Sequence, residues 1–225
     1  MANSWFFLVS GAGPAAENMA WDEALLEHSS RLGCPVLRFY GWSDPAATFG
    51  YFQKFADISA WTPLRPLIRR PTGGGLVPHD RDWTYSLAFP ETHFWHQYSA
   101  VQSYQQVHEW VQRSFAEMKV ATSLAPCCQK EAPGQCFIGA EKFDLLAAGR
   151  KIAGAAQRRN RMGLLIQGSV QPPKGAGERG QWERAMLKTA PAKEWEPLEP
   201  DNALRSRVAQ LAAEKYSQDA YNQKR

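Results

Sequence analysis

Phe143-Asp144-Leu145-Leu146-Ala147-Ala148-Gly149-Arg150-Lys151-Ile152-Ala153-Gly154-Ala155-Ala156-Gln157, with Gly163-Leu164-Leu165-Ile166-Gln167-Gly168-Ser169-Val170 just beyond it, decides the fold class. Three short apolar runs are separated by Ala148-Gly149 and by the few residues before Gly163. Connections this tight join antiparallel neighbours, whereas a parallel pair needs a crossover of a dozen residues or more. Upstream, Val36 to Trp42, Thr48 to Phe52 and Trp83 to Phe89 also read as strands. Glu17 to Arg31 reads as a helix that Gly33 and Pro35 stop. Tyr98 to Met118 carries Val101, Tyr104, Val107, Val111, Phe115 and Met118 at spacings of three and four, the period of a helix face turned to a core. Gly180 to Lys188 reads as a short helix inside a polar excursion from Pro172 to Asp201, and Ala203 to Glu214 as a terminal helix. The expectation is an α+β fold with a mixed, largely antiparallel sheet flanked by helices. No GxGxxG motif is present.

Arg69-Arg70-Pro71-Thr72-Gly73-Gly74-Gly75-Leu76-Val77-Pro78-His79-Asp80 lies between two of these strand-like runs and reads as strand, turn, strand. Each glycine gives up about 0.5–1 kcal/mol of backbone order relative to alanine. Such a run is useful where a backbone must press close to a neighbour. Two readings stand here: an anion cradle formed with the two guanidinium groups, and a glycine-rich hairpin with incidental charge.

The 225 residues carry a formal charge of +4, with 44% hydrophobic and 21% charged residues. That suits a globular protein with a substantial core and is too weakly basic to argue for nucleic acid. No apolar run approaches the roughly 18 residues of a membrane span, and no basic region precedes Trp5 to Val9 as in a secretory signal. A cytoplasmic enzyme is expected, with Cys34, Cys127, Cys128 and Cys136 as reduced thiols. Cys127-Cys128 lacks the spacing of a zinc half-site, so no metal is expected.

Lys151 opens a strand of small residues, Ala153 to Ala156, that leaves room for a ligand or another backbone. Beside it, an anionic or carbonyl oxygen could be held; the plainer reading is a solvated lysine next to a turn. Three cysteines share the loop from Leu124 to Gly139. A thiol there becomes a usable nucleophile if an ammonium raises its thiolate fraction. Spacing alone does not choose among Cys127, Cys128 and Cys136.

Taken together, the glycine stretch, Glu17 to Leu25, Leu37 to Trp42, Gly50 to Gln53, Gly149 to Arg159 and Leu164 to Ser169 resemble, in collinear order over residues 5 to 170, the lipoate–protein ligases and their octanoyltransferase relatives. The resemblance implies the catalytic-domain fold shared with biotin ligases, as a single domain over residues 1–225 without an accessory C-terminal domain. It implies that the glycine turn and the lysine strand wall an acyl pocket. Substrate binding then falls to Arg70, Thr72, Gly73, Gly74, Gly75, Leu76, Val77, Pro78, His79, Gly154 and Ala155. Catalysis falls to Cys136 and Lys151, because the cysteine-dependent, ligase-like octanoyltransferases carry the acyl group on a loop cysteine ahead of the lysine strand. The branch whose cysteine follows the lysine is excluded, since no cysteine lies beyond Cys136. Ala140 departs from a proline common in the family.

The implied reaction is transfer of an octanoyl or lipoyl group from an octanoyl-acyl carrier protein, through Cys136, to the lysine of a lipoyl-domain protein such as the glycine cleavage H protein. Lys151 is expected to lower the thiol pKa and shuttle protons, and glycine-turn amides to stabilise the oxyanion. Arg158 and Arg159 are expected either to meet acidic carriers or to be solvated. No cofactor is needed. The alternatives are an ATP-dependent lipoate ligase, which would need ATP and Mg, an amidotransferase between lipoyl-domain proteins, and a silent acyl-protein binder.

Overall fold

The computed structural model describes residues 4–128, 134 and 136–224. In chain order the elements are β1 (Ser4–Gly13), α1 (Ala15–Leu32), β2 (Val36–Trp42), β3 (Ala46–Phe49), α2 (Phe55–Trp61), β4 (Leu67–Arg69), β5 (Val77–His79) and β6 (Trp83–Pro90). Then come α3 (Phe94–Gln97), α4 (Ala100–Glu117), β7 (Ser123–Leu124), β8 (Leu145–Ala147), β9 (Arg150–Asn160) and β10 (Gly163–Val170). The last are α5 (Arg179–Lys188), β11 (Glu194–Pro197), α6 (Asn202–Leu211), which runs into a π turn over Ala212–Tyr216, and α7 (Asp219–Asn222).

Eight strands form one sheet in the order β11-β1-β2-β6-β10-β9-β8-β7, and β4-β3-β5 form a second. The large sheet is antiparallel from β2 to β7 and parallel at β11-β1-β2. The expected mixed, largely antiparallel α+β fold is therefore what the chain adopts. The three runs around Lys151 pair as expected: β9 joins β8 on one side and β10 on the other. Two parallel crossovers are present, β1-α1-β2 in the large sheet and β3-α2-β4 in the small one; the end of β1 carries Gly11 and Gly13 but not the full GxGxxG motif.

Several elements, β1, α2 and α7 among them, have no counterpart in the sequence reading, and three others differ from it. The strand expected from Thr48 to Phe52 is Ala46–Phe49, because Gly50 opens a tight turn in which the Gln53 N–H donates to the Gly50 carbonyl at 3.0 Å. The polar excursion after Pro172 contains β11, which pairs with β1 from Ser4↔Glu194 to Phe7↔Pro197. The stripe on α4 is core only from Val107 onward; Val101 is 61% exposed. Ser99 starts that helix with a capping box, in which its hydroxyl accepts the Gln102 N–H while Gln102 caps the Ser99 N–H.

One face of the large sheet packs on α4 and α5 through Phe39, Leu87, Val107, Trp110, Val111 and Trp182. Trp5 meets Phe89 and Trp110 edge-on there. The other face packs on α1 and α6. Each fully buried large side chain contributes about 1.5–3 kcal/mol. No helix among the described residues is long and apolar enough to cross a membrane.

Candidate active site

The glycine turn lies at the junction of the two sheets. Gly74 has φ +83°, a left-handed conformation that favours glycine. A Cβ on Gly50 would lie 1.9 Å from the Gly74 carbonyl oxygen, so two backbones cross there with no room for a side chain. Arg70 clamps the turn. Its Nη2 donates to the carbonyls of Gly73 at 2.6 Å and Gly75 at 2.8 Å, and its Nε to Gly73 at 3.1 Å. Arg69 is also buried, donating to the carbonyls of Tyr51, Gln53 and Asn222. Both guanidinium groups are thus turned onto backbone carbonyls, which bring partial negative charge without burying a second ion. They do not form the open anion cradle that the sequence reading entertained.

Arg70 is itself held from behind. Asp82 accepts from His79 Nδ1 at 2.8 Å; in the neutral ring this leaves Nε2 to accept the Thr48 hydroxyl proton at 2.8 Å. Thr48 Oγ1 in turn accepts from Arg70 Nη1 at 3.4 Å. Trp42 stacks on His79 with ring centroids 3.8 Å apart. Burial works against the Asp82 carboxylate, but His79, Ser169 and Thr84 together hold it below its ordinary range.

Two backbone hydrogen bonds zip the cysteine loop to this turn: Leu76 N–H donates to Gly134 O at 2.8 Å, and Cys136 N–H to Leu76 O at 3.1 Å. Cys136 Sγ then accepts the Gly75 N–H at 3.1 Å. Burial pushes the Arg70 guanidinium below its ordinary value, and interaction with Cys136 opposes that shift. The Gly75 amide therefore addresses the sulfur, and Arg70 shares the wall of the narrow cavity with Cys136.

Lys151 approaches from β9. Its Nζ donates to Asp144 Oδ2 at 2.7 Å and lies 5.3 Å from the Phe137 ring centroid. Asp144 is fully buried and also accepts the Tyr104 hydroxyl and, at 2.6 Å, the Glu141 N–H. Burial, then the Asp144 charge, pushes the Tyr104 hydroxyl well above its ordinary range.

Two cavities meet at this point. A narrow one, about 50 Å³, is walled by strand residues including Tyr40, Trp42, Val77, His79 and Ala156. An open groove, about 580 Å³, runs between the Gly134–Phe143 loop and the first turn of α4. Among the described residues only Cys136, Lys151 and Ala155 line both, so these three stand at the neck.

Of the residues singled out in the sequence, Gly74 and Gly75 line the groove, while Arg70, Val77, His79 and Gly154 line the narrow cavity. Thr72, Gly73, Leu76 and Pro78 line neither. Thr72 donates to Gln167 at 2.7 Å, Leu76 packs with Ala47 and Phe49, and Pro78 pairs with Ala47. Their contribution is to hold the turn. Arg158 pairs with Glu23, and Arg159 donates to the Trp95 and His96 carbonyls, so neither is simply solvated. Cys127 and Cys128 are exposed and line neither cavity.

Sequence reasoning misses Tyr104, Asp144, Gln53 and Trp42 as site residues. Tyr104 hides in a core-like helical stripe. Asp144 sits in the Phe-Asp-Leu segment, with nothing in the spacing to join it to Lys151. Gln53, whose Nε2 donates to Gly134 O at 3.0 Å, lies in the Gly50 to Gln53 stretch that carries the resemblance, which gives its side chain no role.

The family model of the lipoyl protein ligase A/B catalytic domain matches residues 14–215. Octanoyltransferase LipM of Bacillus subtilis is 34% identical over 180 residues, covering 74% of this chain and 65% of the relative. Its counterpart from Geobacillus kaustophilus is 36% identical over 179 residues, covering 74% and 64%. The chain thus spans just under two thirds of the length of these curated relatives. Among solved structures, a lipoate–protein ligase A bound with ATP superposes with a TM-score of 0.79 at 19% identity, over 99% of both chains. A bipartite lipoate–protein ligase of Thermoplasma acidophilum, studied with its E2 lipoyl domain, gives 0.72 at 18%, over 98% of this chain and 96% of that one. These likenesses share the fold.

Proposed function

The chain belongs to the lipoyl protein ligase A/B catalytic-domain family, and from that premise we propose that it is an octanoyltransferase working through a Cys136 acyl-thioester. The observation that carries this reading is the neck: the thiol, the Gly75 amide and the Lys151 ammonium converge where a narrow cavity opens into a broad groove. The LipM names of its relatives support the same chemistry.

The Cys136 thiolate attacks the carbonyl carbon of an octanoyl-acyl carrier protein thioester. A new C–S bond forms, the bond to the carrier sulfur breaks, and Lys151 supplies the proton that the departing thiolate takes up. The Gly75 N–H, now on the sulfur, is one donor placed to serve the tetrahedral oxyanion. The acyl chain starts into the narrow cavity, and each of its six CH₂ groups that is buried contributes about 0.8 kcal/mol. The amine of a lipoyl-domain lysine then arrives through the groove and attacks the thioester. An amide forms, the Cys136 thiolate leaves, and the proton shed by the amine returns to Lys151. This reading places the reaction in the cytoplasm and needs no cofactor.

Intact mass after incubation with octanoyl-acyl carrier protein, without ATP, tests it. The expected result is a hydroxylamine-labile octanoyl adduct on Cys136 that Cys136→Ser lacks. Full activity of Cys136→Ala with ATP and free lipoate would make the protein a ligase instead. An adduct acquired only from an octanoylated H protein would make it an amidotransferase.

A further inference from the structure

Lysine reaches its ammonium through four rotatable bonds, so an unrestrained Lys151 would spend little time at one point beside a thiol. Three features remove that freedom. The register of β9 against β8 slips between Leu146↔Lys151 and Leu145↔Ala153, a bulge at Ile152. It brings Lys151 and Gly154, three residues apart, onto one side of the strand. The space beside Gly154 is then occupied: a Cβ there would lie 2.9 Å from both Lys151 Cε and Nζ, and 3.2 Å from Asp144 Oδ1. Finally, Asp144 grips the ammonium at 2.7 Å while its own carboxylate is fixed by Tyr104 and the Glu141 N–H.

We propose that Asp144 and Gly154 are positioning residues for the transfer, the first holding the Lys151 ammonium at the neck beside Cys136 and the second leaving the berth in which it lies. This rests on the roles assigned above to Cys136 and Lys151. Gly154 is therefore less a wall for the acyl chain than the floor under Lys151. The Ala substitution there keeps every charge and presses hardest on the far end of the flexible Lys151 side chain, with Asp144 Oδ1 next at 3.2 Å.

The test reads the Cys136 thiol directly, by mass-resolved alkylation with iodoacetamide across pH in the full chain, which does not depend on acyl transfer. Lys151→Met is expected to raise the midpoint by removing the nearby cation, and Gly154→Ala to raise it by at least half as much. Asp144→Asn is expected to shift the midpoint differently in the wild-type and Lys151→Met backgrounds, because only the wild type has an ammonium to lose. In steady-state transfer, Gly154→Ala and Asp144→Asn should each lower kcat at least tenfold with KM for the carrier within twofold. An unmoved midpoint in Gly154→Ala overturns the proposal, as does an Asp144→Asn shift equal in both backgrounds. If Asp144→Asn does not fold, Gly154→Ala decides alone. A wild type alkylated with the expected midpoints but never acylated overturns the transfer reading and leaves the positioning intact.

Discussion

The narrow cavity and the groove share three residues and are built on opposite principles. Strands β2, β3, β5, β6, β9 and β10 wall the first, and their backbones are locked in ladders. A loop and one helical turn wall the second, joined to the strands by two backbone bonds at Leu76 and by Gln53. A wall of paired strands cannot yield without breaking several hydrogen bonds, so it suits selection of a small, invariant acyl chain. A wall of loop can give way to a protein-borne arm. The Cys136 thiol belongs to the yielding wall but takes its hydrogen bond from the glycine turn, which the rigid wall anchors.

The largest break in that arrangement is Cys136→Ala, which should cut acyl transfer at least about 10³-fold while both cavities persist; a small effect would separate the neck from the chemistry. Acid should strike the groove side next. His108, buried on α4 behind Tyr104, is held down to about 4 by burial. It stays neutral in the fold while the unfolded chain protonates near 6.5. Its contribution is complete above about pH 6.5 and is lost as pH falls towards 4, about 3 kcal/mol in all. Urea titrations from pH 7 to 4 should show that fall, and His108→Gln should reduce it to the share left by His93, which burial also holds down to about 4. Arg70→Met should loosen the turn that aims the Gly75 N–H and slow acylation about 100-fold, close to the loss of an oxyanion donor. Ala156→Leu, in the rigid wall, should cost octanoyl transfer about 30-fold relative to butyryl transfer, as expected for overfilling a pocket by a few carbons. Val101→Asp, on the groove rim, should raise KM for the carrier about fivefold and leave chain-length preference unchanged. Equal chain-length effects from the last two would erase the division between the cavities.

The division also marks what can be read from sequence. Strands announce themselves by short apolar runs and tight turns, so β6, β9 and β10 are legible, and with them the antiparallel centre of the sheet. The parallel edge is not, because the partner of β1 lies in a polar segment whose four residues Glu194–Pro197 carry no apolar pattern. The turn and lysine strand are visible as motifs, yet motif positions do not reveal facing. Thr72 and Leu76 hold the turn, and Arg70 spends its donors on carbonyls. The Lys151–Asp144–Tyr104 chain joins a strand, a loop and a helix through side chains alone, and no local period records such a meeting.

Parallel pairing at the sheet edge has a further consequence during synthesis. Ser4 waits for Glu194, and Arg69, beside the glycine turn, waits for Asn222, whose side chain accepts the Arg69 N–H and whose carbonyl accepts its guanidinium. The β9–β10 hairpin, with its contacts close in sequence, can form as soon as residue 170 has emerged, whereas these clasps close only when the last turns arrive. A nascent chain paused before residue 190 therefore carries an open strand edge at β1 and a glycine turn without its brace. Such an open edge is a template for pairing with another chain until Glu194–Pro197 covers it.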